Sequence, residues 1–330
     1  MAEVARISKV PEGSAAALVA HKLRAAIGVA LEGKPDVVER AIIAVLARGH
    51  LLLEDLPGVG KTTLARALAG ALGLRFARVQ CTSDLLPSDV LGINVYDALE
   101  RRFEFRPGPV FTNVLLADEI NRASPKTQSA LLEAMSERQV TIDGVTRRLE
   151  EPFLVIATQN PDDASGTFPL PDNQLDRFLL RTRIGYPSPE VERQLLLARK
   201  EDSAEDVEAA VTVDELLRAQ DEVERVVIRP AVLDYAQALI TASREPGTLA
   251  IGVSTRGAKA FVRAACARAL VQGRNYLLPD DVSEVALPVL AHRVRVVGYG
   301  SGVSAYAADD GRNDAEVAIR DIVRRTAVPL

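Results

Sequence analysis

Residues 52–63, with the sequence LLEDLPGVGKTT, combine the residue types that bind phosphate groups. The segment lies between a predicted strand at 50–54 and a helix predicted from residue 61 to about 72. At such a junction, successive backbone N–H groups and a helix N-terminus point at one place, which suits an anion. Lys61 is expected to reach the β- and γ-phosphates of a nucleotide, and the Thr62 hydroxyl to ligate Mg²⁺. The predicted phosphate-binding residues are Gly58, Val59, Gly60, Lys61, Thr62 and Thr63.

One position departs from the usual G-x-x-x-x-G-K-T pattern, because Asp55 stands where the first glycine is normally found. A carboxylate that pointed into the turn at 55–60, hereafter the phosphate loop, would repel a phosphate. We therefore expect the Asp55 side chain to point out of the phosphate loop. A glycine-rich turn that binds no ligand is the alternative interpretation.

A second pair of reactive side chains, Asp118 and Glu119, follows an apolar run at 114–117. Open α/β sheets bind ligands at the carboxyl ends of their strands, where these two carboxylates are expected to lie. Asp118 would hold Mg²⁺, often through water, and Glu119 would orient and deprotonate an attacking water. Alone, an Asp-Glu pair after a strand is more often a solvated helix start. The phosphate loop earlier in the chain favours the catalytic interpretation.

These side chains need a parallel sheet to position them, and the pattern up to about residue 183 predicts one. Four apolar runs are too continuous for half-exposed strands and suit a sheet that is buried on both faces. They lie at 50–54, 76–79, 114–117 and 153–157, alternating with predicted helices. Two insertions interrupt this pattern. One is a hairpin around Asp143-Gly144, and the other is the segment 92–109, which contains two short β-like runs.

From residue 189 onward the pattern predicts helices only, one of them opened by a capping box at Thr212–Glu215. The segment 298–311 is predicted to be a loop, and 314–325 a final amphipathic helix. The predicted organisation is an N-terminal helical segment (1–32), an α/β nucleotide-binding domain (33–186), an all-α domain (187–296) and a C-terminal loop and helix (297–330).

Composition excludes several classes of protein. The 40 basic and 45 acidic residues give a net charge of −5, which argues against a protein built mainly to neutralise nucleic-acid backbones. Eight Phe, six Tyr and no Trp are few for a platform that stacks bases. The two cysteines lack zinc-site spacing and favour a reducing compartment. Because the apolar runs are far shorter than the ~18 residues of a membrane helix, we expect a cytoplasmic protein without membrane insertion.

Four further runs of sequence are characteristic together. They are DEINRASPKTQSALLEAM at 118–135, ATQNP at 157–161, GTFPLP at 166–171 and QLDRF at 174–178. With the phosphate loop, they resemble the MoxR family of AAA+ ATPases over about residues 33–295. The resemblance implies a P-loop AAA+ core with a parallel five-stranded sheet, and a C-terminal all-α lid domain. It also identifies 92–109 as the helix-2 insert and 138–149 as the pre-sensor-1 hairpin.

The resemblance also implies roles for three residues that spacing alone does not assign. Asn160 matches sensor 1, which contacts the γ-phosphate or the lytic water, and its strand is expected between those of Lys61 and Asp118. Arg177 matches the arginine finger, which is supplied to a neighbouring subunit. Arg256 matches sensor 2, and whether it acts within its own subunit or on a neighbour stays open. In a chain with 33 arginines, each of these two could otherwise be a surface salt-bridge residue.

The implied function is hydrolysis of ATP with Mg²⁺ by a homo-oligomeric ring, expected to be a hexamer, that remodels or matures a partner protein. A von Willebrand factor A domain protein and a client enzyme complex are the expected partners, with metal or cofactor insertion as one outcome. Three alternatives stay open. They are a nucleic-acid motor, supported by Arg138, Arg147 and Arg148 in the hairpin; a magnesium-chelatase-like metal inserter; and a nucleotide-sensing scaffold, which the intact Asp118-Glu119 pair disfavours. Nucleic acid is not an expected partner.

Overall fold

A computed structural model of the chain describes residues 14–160, 166–197, 207–247, 249–297 and 310–329. Eleven strands and twelve α-helices lie within these ranges. The strands are β1 (Leu51–Glu54), β2 (Phe76–Gln80), β3 (Gly92–Asp97), β4 (Arg102–Pro107), β5 (Val114–Asp118), β6 (Gln139–Ile142), β7 (Val145–Arg148), β8 (Leu154–Gln159), β9 (Leu180–Thr182), β10 (Leu249–Ile251) and β11 (Arg295–Val296). The helices are α1 (Ala15–Ala30), α2 (Pro35–Leu46), α3 (Lys61–Ala71), α4 (Pro87–Leu91), α5 (Pro125–Glu137), α6 (Asp172–Leu175), α7 (Pro189–Leu197), α8 (Val213–Val223), α9 (Pro230–Ala242), α10 (Thr255–Val271), α11 (Pro279–Leu290) and α12 (Asp310–Arg325).

The central sheet has five strands in the order β2-β5-β8-β1-β9, and all neighbouring pairs are parallel. This confirms the predicted parallel five-stranded sheet. Strand β8 lies between β1 and β5, as expected for the strand that precedes Asn160. The apolar pattern did not indicate β9, because this edge strand has only three residues and Arg181 is the middle one.

Both faces of the sheet are buried, which explains the continuous apolar runs. Successive residues of β1 belong to opposite sides: Leu51 and Leu53 pack into one hydrophobic cluster and Leu52 into the other. Helices α1, α2 and α3 contribute to the first cluster and α5 to the second. Because all five strands are parallel, their carboxyl ends meet at one edge of the sheet, hereafter the carboxyl edge. Their amino ends meet at the opposite edge, the amino edge.

Both predicted insertions are antiparallel hairpins, β3–β4 and β6–β7. The second turns at Asp143-Gly144, where both residues have positive φ (50° and 77°), as two-residue hairpin turns of this kind require. The hairpins are in contact. Asn94 donates a hydrogen bond to Asp143 at 2.6 Å, and the Arg147 guanidinium lies 3.9 Å from the centre of the Phe105 ring. The two insertions therefore form one joint projection.

The chain beyond α7 forms the helical lid, and α12 packs against α9 and α11. One detail corrects the expectation of helices only after residue 189, because β10 and β11 pair as a short antiparallel sheet. Each of these strands is too short, at three and two residues, to produce a detectable alternation. Most of the predicted loop at 298–311 lies outside the described residues.

The N-terminal helix α1 packs against α2 and α3, and also against α8 of the lid. The carboxylate of Glu222 in α8 accepts hydrogen bonds from Ser14 Oγ and from the backbone N–H groups of Ala15 and Ala16, at 2.9–3.0 Å. An anion at a helix N-terminus is stabilised by the helix dipole, so Glu222 ties α1 to the lid. Within the described ranges, no helix combines the length and apolar character needed to span a bilayer.

Candidate nucleotide site

The phosphate loop connects β1 to α3 at the carboxyl edge of the sheet. Gly58 and Gly60 have φ values of +82° and +98°, which L-amino acids with side chains rarely adopt. Gly60 is also the N-cap of α3, so the free N–H groups of the first turn of α3 face the loop. This geometry offers several backbone donors to one anion, as the sequence predicted.

Lys61 is nearly enclosed, with 8% of its surface exposed, and its Nζ donates to the backbone carbonyl of Asp55 at 2.6 Å. Burial lowers the pKa of Lys61, while the nearby carboxylates of Asp118, Asp55 and Glu119 act in the opposite direction. A buried ammonium that is hydrogen-bonded to a neutral carbonyl gains most from an added anion. The residues of this loop therefore fit a nucleotide phosphate chain.

The Asp55 carboxylate points towards the segment that follows β9. Its Oδ2 accepts hydrogen bonds from the backbone N–H groups of Ile184 and Gly185, both at 2.6 Å, and its Oδ1 accepts one from Leu56 N–H at 3.0 Å. This placement agrees with the expectation that the side chain points out of the phosphate loop. Instead of repelling phosphate, Asp55 anchors the start of the loop to the segment after β9.

Asp118 ends β5 and is held by two donors. Its Oδ1 accepts from Thr158 Oγ1 and its Oδ2 from the Arg78 guanidinium, both at 2.6 Å. The Thr158 hydroxyl in turn accepts a hydrogen bond from Glu119 N–H at 2.8 Å. Glu119 has φ 56° and ψ 51°, the left-handed conformation, which is strained for a residue with a side chain. Thr158 therefore connects both acidic residues to the neighbouring strand β8.

The Glu119 carboxylate is also held from two sides. Gln80 Nε2 donates to it at 3.3 Å and Arg122 at 3.1 Å. Arg78 and Gln80 lie two residues apart on β2, so both side chains point to the same face of the strand next to β5. Sequence reasoning missed Arg78, Gln80 and Thr158. The alternation in Arg78-Val79-Gln80 was the available signal, but it has meaning only once β2 is known to lie beside β5.

The predicted metal ligands fit Mg²⁺ in type. Thr62 lies in the first turn of α3, and its hydroxyl has no hydrogen-bond partner in the part of the chain that the structure describes. Asp118 contributes carboxylate oxygens that are almost buried, at 8% residue exposure. Hydroxyl, carboxylate and phosphate oxygens are the ligands that Mg²⁺ prefers. Because Arg78 already binds Asp118, a metal ion and Arg78 compete for the same carboxylate.

Asn160 follows β8 directly, and it therefore lies between the strands that carry the phosphate loop and Asp118. Its role as sensor 1 stays a prediction. The residue before it was not predicted: Gln159 is 4% exposed, and its Oε1 has no hydrogen-bond partner within the described residues. A buried amide oxygen without a partner is costly unless a ligand or water completes it. Gln159 thus adds a polar group that can orient a ligand at this edge.

Arg177 and Arg256 lie together at the amino edge of the sheet. Both line one cavity of about 460 Å³, hereafter the basic cavity. Its lining includes His50 and Leu179, the residues that directly precede β1 and β9. The four residues of β1, about 13 Å of strand, separate this cavity from the phosphate loop of the same chain. The structure therefore brings the two arginines together and places both away from Lys61.

The Arg177 side chain lies along the end of α5. It donates to Leu132 O at 2.5 Å and to Ser136 Oγ at 2.7 Å, while its Nε is buried without a partner in the described chain. Both of these hydrogen bonds use Nη1, so Nη2 keeps its donors for a further acceptor.

The residue before Arg177 is held by the lid. The Asp176 carboxylate accepts from Arg293 Nε and from Ser254 Oγ, both at 2.8 Å. Arg293 is 5% exposed, and burial lowers its pKa to about 10, although Asp176 opposes the shift. Ser254 is the N-cap of α10, the helix that carries Arg256. Sequence reasoning missed Arg293, because no local motif marks it.

Comparison with known proteins agrees with this geometry. Residues 50–180 match the model of the ATPase family associated with various cellular activities (AAA), and residues 241–319 match the AAA lid domain model. A crystal structure of a presumed ATPase from Cytophaga hutchinsonii superposes with a TM-score of 0.82 at 34% identity. The superposition covers 96% of this chain and 97% of that one.

Three relatives match most of the chain. YeaC of Bacillus subtilis, an uncharacterised protein, is 45% identical over 90% of this chain and 91% of its own. Chaperone MoxR1 of Mycobacterium tuberculosis is 39% identical over 97% of this chain and 86% of its own. Protein MoxR of Methylorubrum extorquens is 35% identical over 81% of this chain and 85% of its own. Together with the site geometry, these similarities show that the chain belongs to the MoxR family of AAA+ ATPases.

Proposed function

We propose that this chain hydrolyses ATP with Mg²⁺ as a homo-oligomeric ring in which each nucleotide lies between two subunits. One observation carries the proposal: Lys61 and Glu119 lie at the carboxyl edge of the sheet, whereas Arg177 and Arg256 lie at its amino edge. An arginine that cannot reach the nucleotide of its own subunit can stabilise transition-state charge only in a neighbour. The same placement supports action of Arg256 on the neighbour, the question that the sequence left open.

Within one subunit, the phosphate loop and Lys61 bind the phosphate chain. Thr62 and Asp118 hold Mg²⁺, which when bound neutralises charge on the phosphate oxygens. Glu119 accepts the proton of the attacking water, and Asn160 and Gln159 orient that water. Backbone N–H groups and side chains held in fixed positions need little reorganisation as charge develops, which is the source of their catalytic effect.

Mixing two inactive variants tests this arrangement. Lys61→Ala removes nucleotide binding but keeps Arg177, whereas Arg177→Ala keeps its own nucleotide site but lacks the finger. If Arg177 acts on the neighbour, an equimolar mixture regains turnover, because roughly a quarter of randomly formed interfaces combine both intact residues. Each variant alone stays inactive. A mixture as inactive as its components, under conditions in which mixed oligomers form, contradicts the proposal.

Remodelling of a partner protein is the proposed use of the hydrolysis. The joint projection of the two insertions exposes apolar side chains, with Tyr96 54% exposed, Phe103 71% and Leu99 94%. Apolar groups clustered on a projection are typical of protein-contact surfaces. The similarity to a protein named chaperone MoxR1 supports the same use. We further propose that the ring is a cytoplasmic hexamer. Its proposed partners are a von Willebrand factor A domain protein and a client enzyme complex.

An ATP-loaded trap tests the remodelling proposal. Glu119→Gln should retain ATP and hold its partner long enough for affinity capture. Partners captured with ATP but not with ADP support the proposal, and Tyr96→Ser with Phe103→Ser in the same background should release them. If the trap captures the same proteins in both nucleotide states, remodelling driven by the ATPase cycle is wrong.

The structure reduces the support for a nucleic-acid motor. Of the basic residues in the β6–β7 hairpin region, Arg147 lies over Phe105 and Arg138 pairs with Glu151 at 2.8 Å. Both cations are thus engaged within the chain. A DNA-binding assay at several salt concentrations distinguishes this alternative, because phosphate contacts give a steep salt dependence. A phosphate-release assay distinguishes an active ATPase from a nucleotide-sensing scaffold, because the scaffold would bind ATP without releasing phosphate.

A further inference from the structure

The basic cavity carries far more positive than negative charge. Seven of its lining residues are arginine or lysine, whereas Asp176 is its one carboxylate. That carboxylate is already bound by Arg293 and by Ser254 Oγ. A concave surface with this charge balance has a positive potential and attracts an anion from outside the chain.

Several of these cations already have partners within the chain. Arg48 pairs with Asp221 at 2.7 Å, and Arg138 with Glu151 at 2.8 Å. Arg263 donates to a backbone carbonyl at 3.4 Å. These side chains are held in place by acceptors of their own chain, and they are less available to a ligand.

Two cations of the cavity differ from the others. Arg256 and Lys259 are both exposed, and within the described ranges neither has a hydrogen-bond or ion-pair partner. They lie three residues apart on α10, so their side chains project from one face of the helix, with Cβ atoms about 5–6 Å apart. Arg177 lines the same cavity, and its Nη2 has no hydrogen-bond partner within the described residues. Three cations that keep unused donors within the described residues thus line one space.

We propose that Lys259 is a third cation that acts on the nucleotide of the neighbouring subunit. Its ammonium binds the phosphate chain that Arg177 and Arg256 meet across the subunit interface. A triphosphate carries several charged oxygens, so it can accept charge-assisted hydrogen bonds from three cations at once. Lysine suits this role as a compact charge on a flexible stem with three donors. The inference rests on the proposed ring.

The test measures ATP affinity in the Glu119→Gln background, which slows hydrolysis. Displacement of a fluorescent ATP analogue gives the dissociation constant of ATP. It is measured at two protein concentrations, one below and one above the midpoint of assembly. Lys259→Ala should weaken ATP binding about fivefold in the assembled protein and leave the dilute protein unchanged. The loss should shrink at high salt, since exposed charges are screened. Lys259→Arg keeps the charge and should restore most of the affinity.

Arg225→Ala is the matched control, because Arg225 is an exposed lid cation that does not line the cavity. Its affinity should equal that of the parent in both states. Two results overturn the assignment of Lys259 to the neighbour's phosphates. One is a loss of ATP affinity in the dilute Lys259→Ala protein. The other is an unchanged ATP affinity together with weaker assembly of Lys259→Ala in the absence of nucleotide. If the parent itself shows no change of affinity on assembly, the ring proposal fails. If the parent changes and Lys259→Ala behaves like it, only the role of Lys259 fails.

Discussion

At the scale of residues, the two acidic side chains after β5 are held by different neighbours. Arg78 and Thr158 bind the Asp118 carboxylate, whereas Gln80 and Arg122 bind that of Glu119. These contacts from β2 and β8 hold Asp118, the proposed Mg²⁺ ligand, in a fixed position. Glu119 has 24% of its side chain exposed, so water can reach the proposed base.

Replacing Glu119 by Gln removes the proton acceptor and keeps nearly the same size. We expect ATP to bind and hydrolysis to slow by roughly 10²- to 10⁴-fold, the usual contribution of a positioned base. Phosphate release and nucleotide binding measure the two effects separately. Glu133→Gln, an exposed residue of α5, is the control and should hydrolyse at the wild-type rate. Normal hydrolysis by Glu119→Gln would show that another group is the base.

Thr158→Val tests the link between the two acids. Thr158 is fully buried, and the valine keeps its shape but leaves Glu119 N–H and Asp118 without their hydroxyl partner. Unsatisfied buried groups cost about 1–3 kcal/mol, so the free energy of unfolding in urea should fall by that amount. ATP turnover should fall as well, and Thr158→Ser should retain both properties. A stable and fully active Thr158→Val would remove the proposed positioning role.

At the scale of elements, a buried ion network joins the end of β1 to the last helix. Arg181 of β9 pairs with Glu54 of β1 at 3.1 Å and with Glu316 of α12 at 3.0 Å. Glu54 is 2% exposed and directly precedes the phosphate loop. The network therefore connects the nucleotide-binding strand with the C-terminal helix of the lid.

Arg181→Ala should destabilise the fold far more than Glu316→Gln. The first substitution removes an ion-pair partner of a buried carboxylate, and breaking such a pair costs about 3–5 kcal/mol. The second affects a side chain that is 22% exposed and also lies near Arg320. Urea unfolding of both variants measures the difference. Equal losses would mean that the pair with Glu54 does not dominate the network.

His50 joins three elements and predicts a pH dependence. Its Nδ1 accepts from Val155 N–H and its Nε2 contacts Met135 O, both at 3.0 Å, so the neutral ring carries its proton on Nε2. Burial is the main cause that lowers the pKa of His50 from 6.5 to about 4, and Arg138 adds to it. The unfolded chain therefore binds this proton below about pH 6.5, whereas the folded chain binds it only below about pH 4.

Between these two pH values the unfolded state holds more protons, so the free energy of unfolding falls as the pH falls. The protonation of His50 in the unfolded state lowers the free energy of unfolding by at most about 3 kcal/mol, reached near pH 4. Above pH 6.5 this loss vanishes. His50→Gln should flatten the slope of unfolding free energy against pH. His21→Gln, exposed on α1, is the matched control. An unchanged slope in His50→Gln would assign the pH dependence to other groups.

At the scale of the whole molecule, the opposite edges of one sheet carry complementary halves of the proposed site. A single subunit then lacks Arg177 opposite its own nucleotide. We expect turnover per subunit to rise with protein concentration until assembly is complete. A dilution series of phosphate release, with the oligomeric state followed in parallel, measures this. Turnover per subunit that stays constant through the assembly transition contradicts the ring.

The sequence by itself determined the features that depend on neighbours along the chain. The phosphate loop, the start of α8 at the Thr212–Glu215 capping box and the turn at Asp143-Gly144 all follow from local backbone preferences and capping. The continuous apolar runs predicted a parallel sheet with both faces buried, and the resemblance to the family supplied its order around β8. The local predictions succeeded because each rests on a few consecutive residues, whereas the strand order came from the resemblance.

Only the tertiary structure decided which distant residues meet. It placed Arg78 and Gln80 beside the acids, fixed Asp176 with Arg293, and brought Arg177 and Arg256 to one cavity. The short edge strand β9 and the lid strands β10 and β11 likewise form by pairing with partners far along the chain. Such contacts depend on the packing of whole elements, which no local periodicity encodes.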